Sequence, residues 1–413
     1  MSLLKLPSLL AAILGAGIFS AQAANMAEPP ACARIDQPHQ SAAQDEGSFS
    51  WSAQGDSVDI APRAGYKIAL WGDSLTSARN FVDAALGAYG IEPAKVAPSF
   101  IQAAIGVTGI SLPLKASCAS KGWRVAYAYK EKHAVPGFSK GMVRMSSDNP
   151  GELFVLDFRS PQPSTRVDQL NIVYEKARPD GSLLLAVSVD GGEERFISLS
   201  RSADTGLRIH PDAPMSTLRV RLVSGQITVH GFEPVYHDAP AVLLDTLSVP
   251  SGLLRSWSNT DPRYFPNGAD GGGDYQLILV QYGTNEGASP NFDLNNYVDY
   301  LRTNLRRLRA FYPGGQCILI GPPDRGATGN GGWSGPLKFS YVHQQIAQAQ
   351  KQVGLEYHCG FWDWQAAMGG PGTAAQWARM NPPHMQPDLT HLTAQGYDIS
   401  GRLFAAAFPL NRH

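Results

Sequence analysis

The sequence predicts an α/β fold in which a parallel sheet flanked by helices is interrupted by an inserted β-sandwich. Three observations predict it. Near both ends of the chain, short continuous apolar runs are followed by helical stretches, the pattern of buried parallel strands and their crossovers. The middle of the chain instead carries short alternating runs broken by turn residues, with no convincing long amphipathic helix. Apolar residues make up 43% of the 413 and charged residues 17%, enough for a large core and too apolar for a disordered chain.

Taken in order, the chain opens with Lys5, an apolar run from Leu6 to Phe19, and Ala21-Gln22-Ala23. A charged start, a short apolar core and small residues at −3 and −1 read as a secretory signal over 1–23. The run contains Pro7 and Ser8 and is shorter than the ~20 apolar residues of a spanning helix. The mature chain is therefore expected to be periplasmic or secreted, with no membrane insertion after cleavage. Residues 24–65 are polar and dotted with Pro and Gly, and no element is assigned to them. They are grouped with the first part of the α/β core, 24–114. In that part Lys67 to Trp71 is a strand, Gly72-Asp73 a turn, and Asn80 to Leu86 a helix.

The predicted insert spans 115–238. Leu153 to Phe158 and Leu183 to Val189 are strands, the latter closed by Asp190-Gly191-Gly192. Leu218 to Leu222 and Gln226 to His230 alternate with period two around Ser224-Gly225. Such insertions sit at surface loops of compact domains. The second part of the core, 239–413, has strands at Ala241–Leu244, Gln276–Val280, Cys317–Ile320 and Tyr357–Trp362. Its helices are Leu294–Phe311, Tyr341–Val353 and Thr393–Phe408.

With 34 basic and 35 acidic side chains, the chain lacks the basic footprint of a general nucleic-acid binder. Four cysteines make no disulfide scaffold, and none has metal-ligand spacing. An oxidising compartment permits disulfides, and three pairings are possible. Cys317 and Cys359 fall in two strands of one sheet, which favours Cys317–Cys359 with Cys32–Cys118 over buried free thiols.

Two serine motifs compete for a catalytic role. Gly137-Phe138-Ser139-Lys140-Gly141 matches a nucleophile elbow, but no buried strand precedes it and no helix follows, so it reads as an exposed turn. Gly72-Asp73-Ser74-Leu75 follows a buried strand and is expected to open a helix, putting Ser74 at the carboxyl edge of a parallel sheet. Read alone, Asp73 and Ser74 could simply cap that helix. Near the other end, Asp388-Leu389-Thr390-His391 sets a carboxylate three residues before an imidazole, so Asp388 can orient His391 and leave its far nitrogen to take a serine proton. Asn285 follows the strand ending at Val280 and can aim an amide at a developing oxyanion. Gly252 lets the backbone approach a ligand closely.

In this order, Gly72-Asp73-Ser74-Leu75, Gly252, Gly283-Thr284-Asn285 and Asp388-Leu389-Thr390-His391 resemble the four blocks of the SGNH (GDSL) hydrolases. The resemblance covers about 67–89 and 241 onward. It implies a flavodoxin-like three-layer α/β/α core, with Ser74 as nucleophile, His391 as base and Asp388 orienting it. It also implies an oxyanion hole of the Ser74 N–H, the Gly252 N–H and the Asn285 side chain, and chemistry without metal or organic cofactor. Glu286 stands where many members carry Asp, and is read as a subfamily mark. The signal segment, the interrupted core and Tyr282-Gly283-Thr284-Asn285-Glu286 together are similar to Gram-negative peptidoglycan O-acetylesterases, whose insert is a jelly-roll-like, carbohydrate-binding-module-like domain. The expected partner is an O-acetylated polysaccharide. Alternatives are an esterase for another glycan or short-chain ester, and a carbohydrate-binding protein with an idle core.

Overall fold

The structure is a computed structural model that describes residues 30–35, 48–53, 65–131, 137–159, 166–176, 181–199, 205–265, 275–327, 335 and 337–409. The signal segment over 1–23 lies outside these residues. Among the described residues no helix is long and apolar enough to cross a membrane.

Six strands form a parallel sheet in the order Cys359–Trp362, Gln316–Ile320, Leu277–Gln281, Tyr66–Gly72, Val242–Thr246 and Val96–Ala97. Their side chains alternate between two apolar layers, which is why the strands read as continuous apolar runs. Ile68, Leu70, Leu279 and Ile320 pack on one face with Phe81 of the helix Asn80–Ala88 and Phe404 of the helix Ala394–Ala407. Ala69, Trp71, Ile278, Val280 and Leu319 pack on the other with Leu301 and Leu305 of Leu294–Phe311 and Ile346 and Val353 of Ser340–Glu356.

Between Ala116 and Tyr236 the chain builds antiparallel sheets. One runs Arg195–Ser198, Leu184–Val189, Thr217–Ser224, Leu153–Asp157, Ala116–Ala119. The other runs Phe49–Ala53, Gly206–Pro211, Val167–Lys176, Ile227–Tyr236, Val143–Ser147, Arg124–Tyr127, with Ile101–Gln102 paired to Ile227–Tyr236 outside that order. Leu218, Val220 and Leu222 join residues of both sheets in one core, and Phe154 meets Phe232 across it at 5.4 Å. Arg219 and Arg221, the alternate residues, share Glu194.

Two sequence expectations are corrected here. Of residues 24–65, grouped with the first part of the α/β core, the described stretches 30–35 and 48–53 do not join the parallel sheet. Phe49–Ala53 is an edge strand of an antiparallel sheet, and the helix Pro30–Ile35 is joined to the strand Ala116–Ala119 through Cys32–Cys118. Its pairing partner, Gly206–Pro211, lies far along the chain, so no local pattern announces it. The second correction concerns Ser139, which is buried rather than in an exposed turn, at 1% exposure. Phe138 and Val143 pack into the core on one face of the parallel sheet, and the Trp71 indole N–H donates to the Lys140 carbonyl at 2.8 Å. Ser139 Oγ donates to the His230 carbonyl at 3.0 Å and accepts from the Gly141 N–H at 3.3 Å. Ser139→Ala is expected to cost about 1–3 kcal/mol in denaturant unfolding, because both buried partners lose a bond.

Candidate active site

Gly72 ends the strand Tyr66–Gly72 where two loops converge. A Cβ there would lie 2.2 Å from Thr76 Oγ1 and 2.9 Å from the Gln281 carbonyl, so only glycine fits. Asp73 is fully buried beneath the turn. Its carboxylate accepts from the Leu75 N–H at 2.9 Å and from Gln281 Nε2 at 3.2 Å. Gln281 Oε1 in turn accepts from the Asp73 N–H at 3.3 Å, and Gln281 Nε2 also donates to Thr284 Oγ1 at 3.3 Å. Burial raises the Asp73 carboxyl above its ordinary range, against the pull of those hydrogen bonds. The carboxylate thus holds the turn from within and leaves Ser74 at its tip.

Contrary to the sequence expectation, Ser74 does not open a helix. Residues 74–78 are a turn, and the helix begins at Asn80 with Arg79 in the left-handed region at φ 64°. Asp73 is committed to the turn and the helix start lies beyond it, so helix capping is not its role. Among the described residues no acceptor takes the Ser74 N–H.

Ser74 Oγ lies 3.0 Å from His391 Nε2, and His391 Nδ1 lies 2.6 Å from Asp388 Oδ2. Asp388 Oδ1 accepts from the Thr390 N–H at 2.9 Å and the His391 N–H at 3.0 Å, helped by Leu389 at φ 55°. Partial burial pulls the Asp388 carboxyl up, but the bonds from the His391 ring and the two N–H groups outweigh it and hold it below its ordinary range. The Asp388 side chain is 49% exposed and that of His391 42%, so their pair is screened and acts chiefly to orient the ring.

Asn285 Nδ2 donates to the Gly252 carbonyl at 3.1 Å, which fixes the amide and leaves its second hydrogen uncommitted to that bond. Gly252 itself is corrected as an oxyanion donor. Ser251 at φ 61° turns the backbone so that the Gly252 N–H donates to the Val249 carbonyl at 2.8 Å. Gly252 is needed for space instead, since a Cβ would lie 2.7 Å from the Val249 carbonyl and 2.9 Å from that of Gly72. The donors this arrangement offers are the Ser74 N–H and the Asn285 amide.

Glu286 ties the two loops together. One carboxyl oxygen accepts from the Leu254 N–H at 2.7 Å and the other from the Gly283 N–H at 3.0 Å. Arg325 braces the same loop, donating to the Thr284 carbonyl at 3.0 Å. Sequence reasoning saw only a change of residue type at Glu286, because its partners are backbone groups on a distant segment. Burial pushes its carboxyl up to about 7, against backbone N–H bonds from Leu254, Gly283 and its own residue. The folded chain therefore holds this proton to higher pH than the unfolded chain does. Its contribution to stability is full below about 4.5 and is lost as pH rises through about 7. Glu286→Gln is expected to flatten the pH dependence of the melting temperature between pH 5 and 8. The amide cannot accept from both N–H groups, so the tie between the two loops should also loosen.

Cys317 and Cys359 are bonded across register partners of neighbouring strands, with Cα atoms 4.5 Å apart, and Cys32 and Cys118 are bonded with Cα atoms 5.5 Å apart. Both lie within ordinary disulfide geometry for the Cα separation.

The chain is similar to a solved peptidoglycan O-acetylesterase at 19% identity and a TM-score of 0.60, over 83% of this chain and 90% of that one. The chain shares the fold of that structure. The residues arranged around Ser74 stand on that shared scaffold. Two further solved structures overlap it less well. One is a carbohydrate esterase family 2 enzyme plus carbohydrate binding domain from Corynascus thermopiles (Myceliophthora fergusii), with 14% identity, 69% of this chain, 98% of that chain and a TM-score of 0.29. The other is an acetylxylan esterase from Geobacillus stearothermophilus, with 15% identity, 42% of this chain, 74% of that chain and a TM-score of 0.31. No protein-family model and no curated protein matches the chain.

Proposed function

We propose that the chain is an exported SGNH-type serine esterase that removes O-acetyl groups from a cell-wall polysaccharide, peptidoglycan first among them. The observation that carries this reading is the unbroken hydrogen-bonded series from Ser74 Oγ through His391 to Asp388, at 3.0 and 2.6 Å. In the proposed reaction Ser74 Oγ attacks the acetyl carbonyl carbon while His391 Nε2 takes the hydroxyl proton. The carbonyl electron pair moves onto oxygen, where the Ser74 N–H and the Asn285 amide stabilise it. The tetrahedral intermediate collapses, the C–O bond to the sugar breaks, and His391 returns the proton to the sugar oxygen. Water, deprotonated by His391, then hydrolyses the acetyl-enzyme and releases acetate. Neither metal nor organic cofactor enters these steps.

Peptidoglycan is favoured by two features. The likeness to the peptidoglycan O-acetylesterase extends over 83% of the chain. The signal-like segment over 1–23 would deliver the enzyme to the wall. The antiparallel sheets then act as an inserted module that positions polymer. Acetate release from O-acetylated peptidoglycan is expected to exceed release from acetylated xylan, and both should exceed hydrolysis of a long-chain acyl ester. Preference for xylan would overturn the wall assignment and keep the esterase. No hydrolysis of p-nitrophenyl acetate would overturn the esterase itself.

A further inference from the structure

A cleft of about 460 Å³ opens between residues 105–108 and the strands Ala116–Ala119, Arg124–Tyr127 and Val143–Ser147. Its size falls in the range of small-molecule sites. Trp123 and Tyr127 are partly exposed in its wall, Ile105 and Met145 are buried in its lining, and Thr108 and Lys121 are exposed at it. The Trp123 ring is held in place, and one face of the Tyr127 ring is covered by a lysine. The Trp123 indole N–H donates to the Leu153 carbonyl at 3.1 Å and its ring meets Phe154 edge-on, while Lys130 Nζ stands 4.5 Å over the Tyr127 ring.

Both walls of the cleft run into the loops of the candidate active site. Past residue 108, the Gly109 carbonyl accepts from Ser77 Oγ at 2.7 Å, and Ser111 N–H donates to the Ser77 carbonyl at 3.2 Å. Ser77 lies in the turn that carries Ser74, and Ser77 Oγ also reaches the Ser74 carbonyl at 3.3 Å. A Cβ on Gly109 would touch Pro250, two residues before Gly252, at 2.9 Å. The other wall continues from Tyr127 into Ala128–Lys130. There the Tyr129 carbonyl accepts from Arg255 at 2.6 Å, the Ala128 carbonyl accepts from Asn259 at 2.8 Å, and Ser251 hydrogen-bonds the Tyr129 hydroxyl.

We infer that this cleft is a subsite for an N-acetylated pyranose of the glycan strand, an inference that rests on the esterase reading for its purpose. The Trp123 face and the uncovered face of Tyr127 suit the C–H face of a pyranose ring. Ile105 and Met145 offer an apolar floor for an acetamido methyl group, and Thr108 and Lys121 meet ring hydroxyls at the rim. A sugar held there is anchored to the loops that carry Ser74 and Gly252, so it indexes a neighbouring acetyl ester to the nucleophile.

The test is calorimetric titration of the full-length Ser74→Ala chain with chitotetraose and with xylotetraose. Chitotetraose is expected to bind more tightly than xylotetraose. Adding Tyr127→Ala, or adding Thr108→Trp to fill the cleft, should each weaken chitotetraose binding by about tenfold or more at an unchanged melting temperature. Phe196→Ala, on an exposed outer strand, should leave binding unchanged. The inference is overturned if chitotetraose does not bind, if xylotetraose binds equally well, if neither cleft variant weakens binding, or if Phe196→Ala does. Binding needs no turnover, so an inactive wild-type enzyme would strike the esterase reading without deciding the cleft.

Discussion

Ser74→Ala is expected to lower kcat on p-nitrophenyl acetate by about 10⁴-fold or more, with circular dichroism and melting temperature preserved. His391→Ala should match it. In the proposed mechanism the two act as a unit, because the hydroxyl is a weak nucleophile until His391 Nε2, 3.0 Å away, takes its proton. Combining the two substitutions should therefore add little to either alone. Asp388→Asn should hurt less than either, because water can reach the ring nitrogen of a half-exposed pair and replace part of the orienting bond. Activity in Ser74→Ala within tenfold of wild type would remove Ser74 from the mechanism. The buried hydroxyl of Ser139 would not inherit the role, since it is spent on the His230 carbonyl.

The second large effect is expected at Asn285. Asn285→Ala should lower kcat by about 10²–10³-fold and change KM little, measured on p-nitrophenyl acetate. In the proposed mechanism the amide meets charge that develops chiefly in the transition state. The Gly252 N–H is occupied by the Val249 carbonyl, so the Ser74 N–H alone would remain to meet the oxyanion. A change confined to KM would make Asn285 a ground-state binding residue. If the loss were instead far below tenfold, the Gly252 N–H would have to swing free of Val249 during catalysis.

A short stretch of chain carries by itself whatever depends only on neighbours in sequence. Asp388 and His391 lie three residues apart, so their meeting is a property of one turn. The helix Leu294–Phe311 shows its apolar stripe in its own period, and Leu218 to Leu222 shows its alternation in the same way. Ser74 and Asn285 follow apolar runs directly, so their positions at strand ends were legible too. The order of the four blocks along the chain needs no structure.

Tertiary structure decided the rest, because each remaining feature depends on partners remote in sequence. Ser74 and His391 are 317 residues apart and meet only because the strand Tyr66–Gly72 and the last helix share one apolar layer. Ser139 looked exposed because its own neighbours are polar and glycine-rich, yet packing against the Trp71 layer buries it. Phe49–Ala53 found its edge only beside Gly206–Pro211. Gly252 could be recognised as a place of close approach, but the direction of its N–H was set by the left-handed turn at Ser251. Glu286 was visible as a residue type, while its work of joining two loops depends on backbone N–H groups that composition and periodicity do not encode. Local spacing determines which side chains share a turn, and burial and hydrogen-bond direction belong to the packed whole.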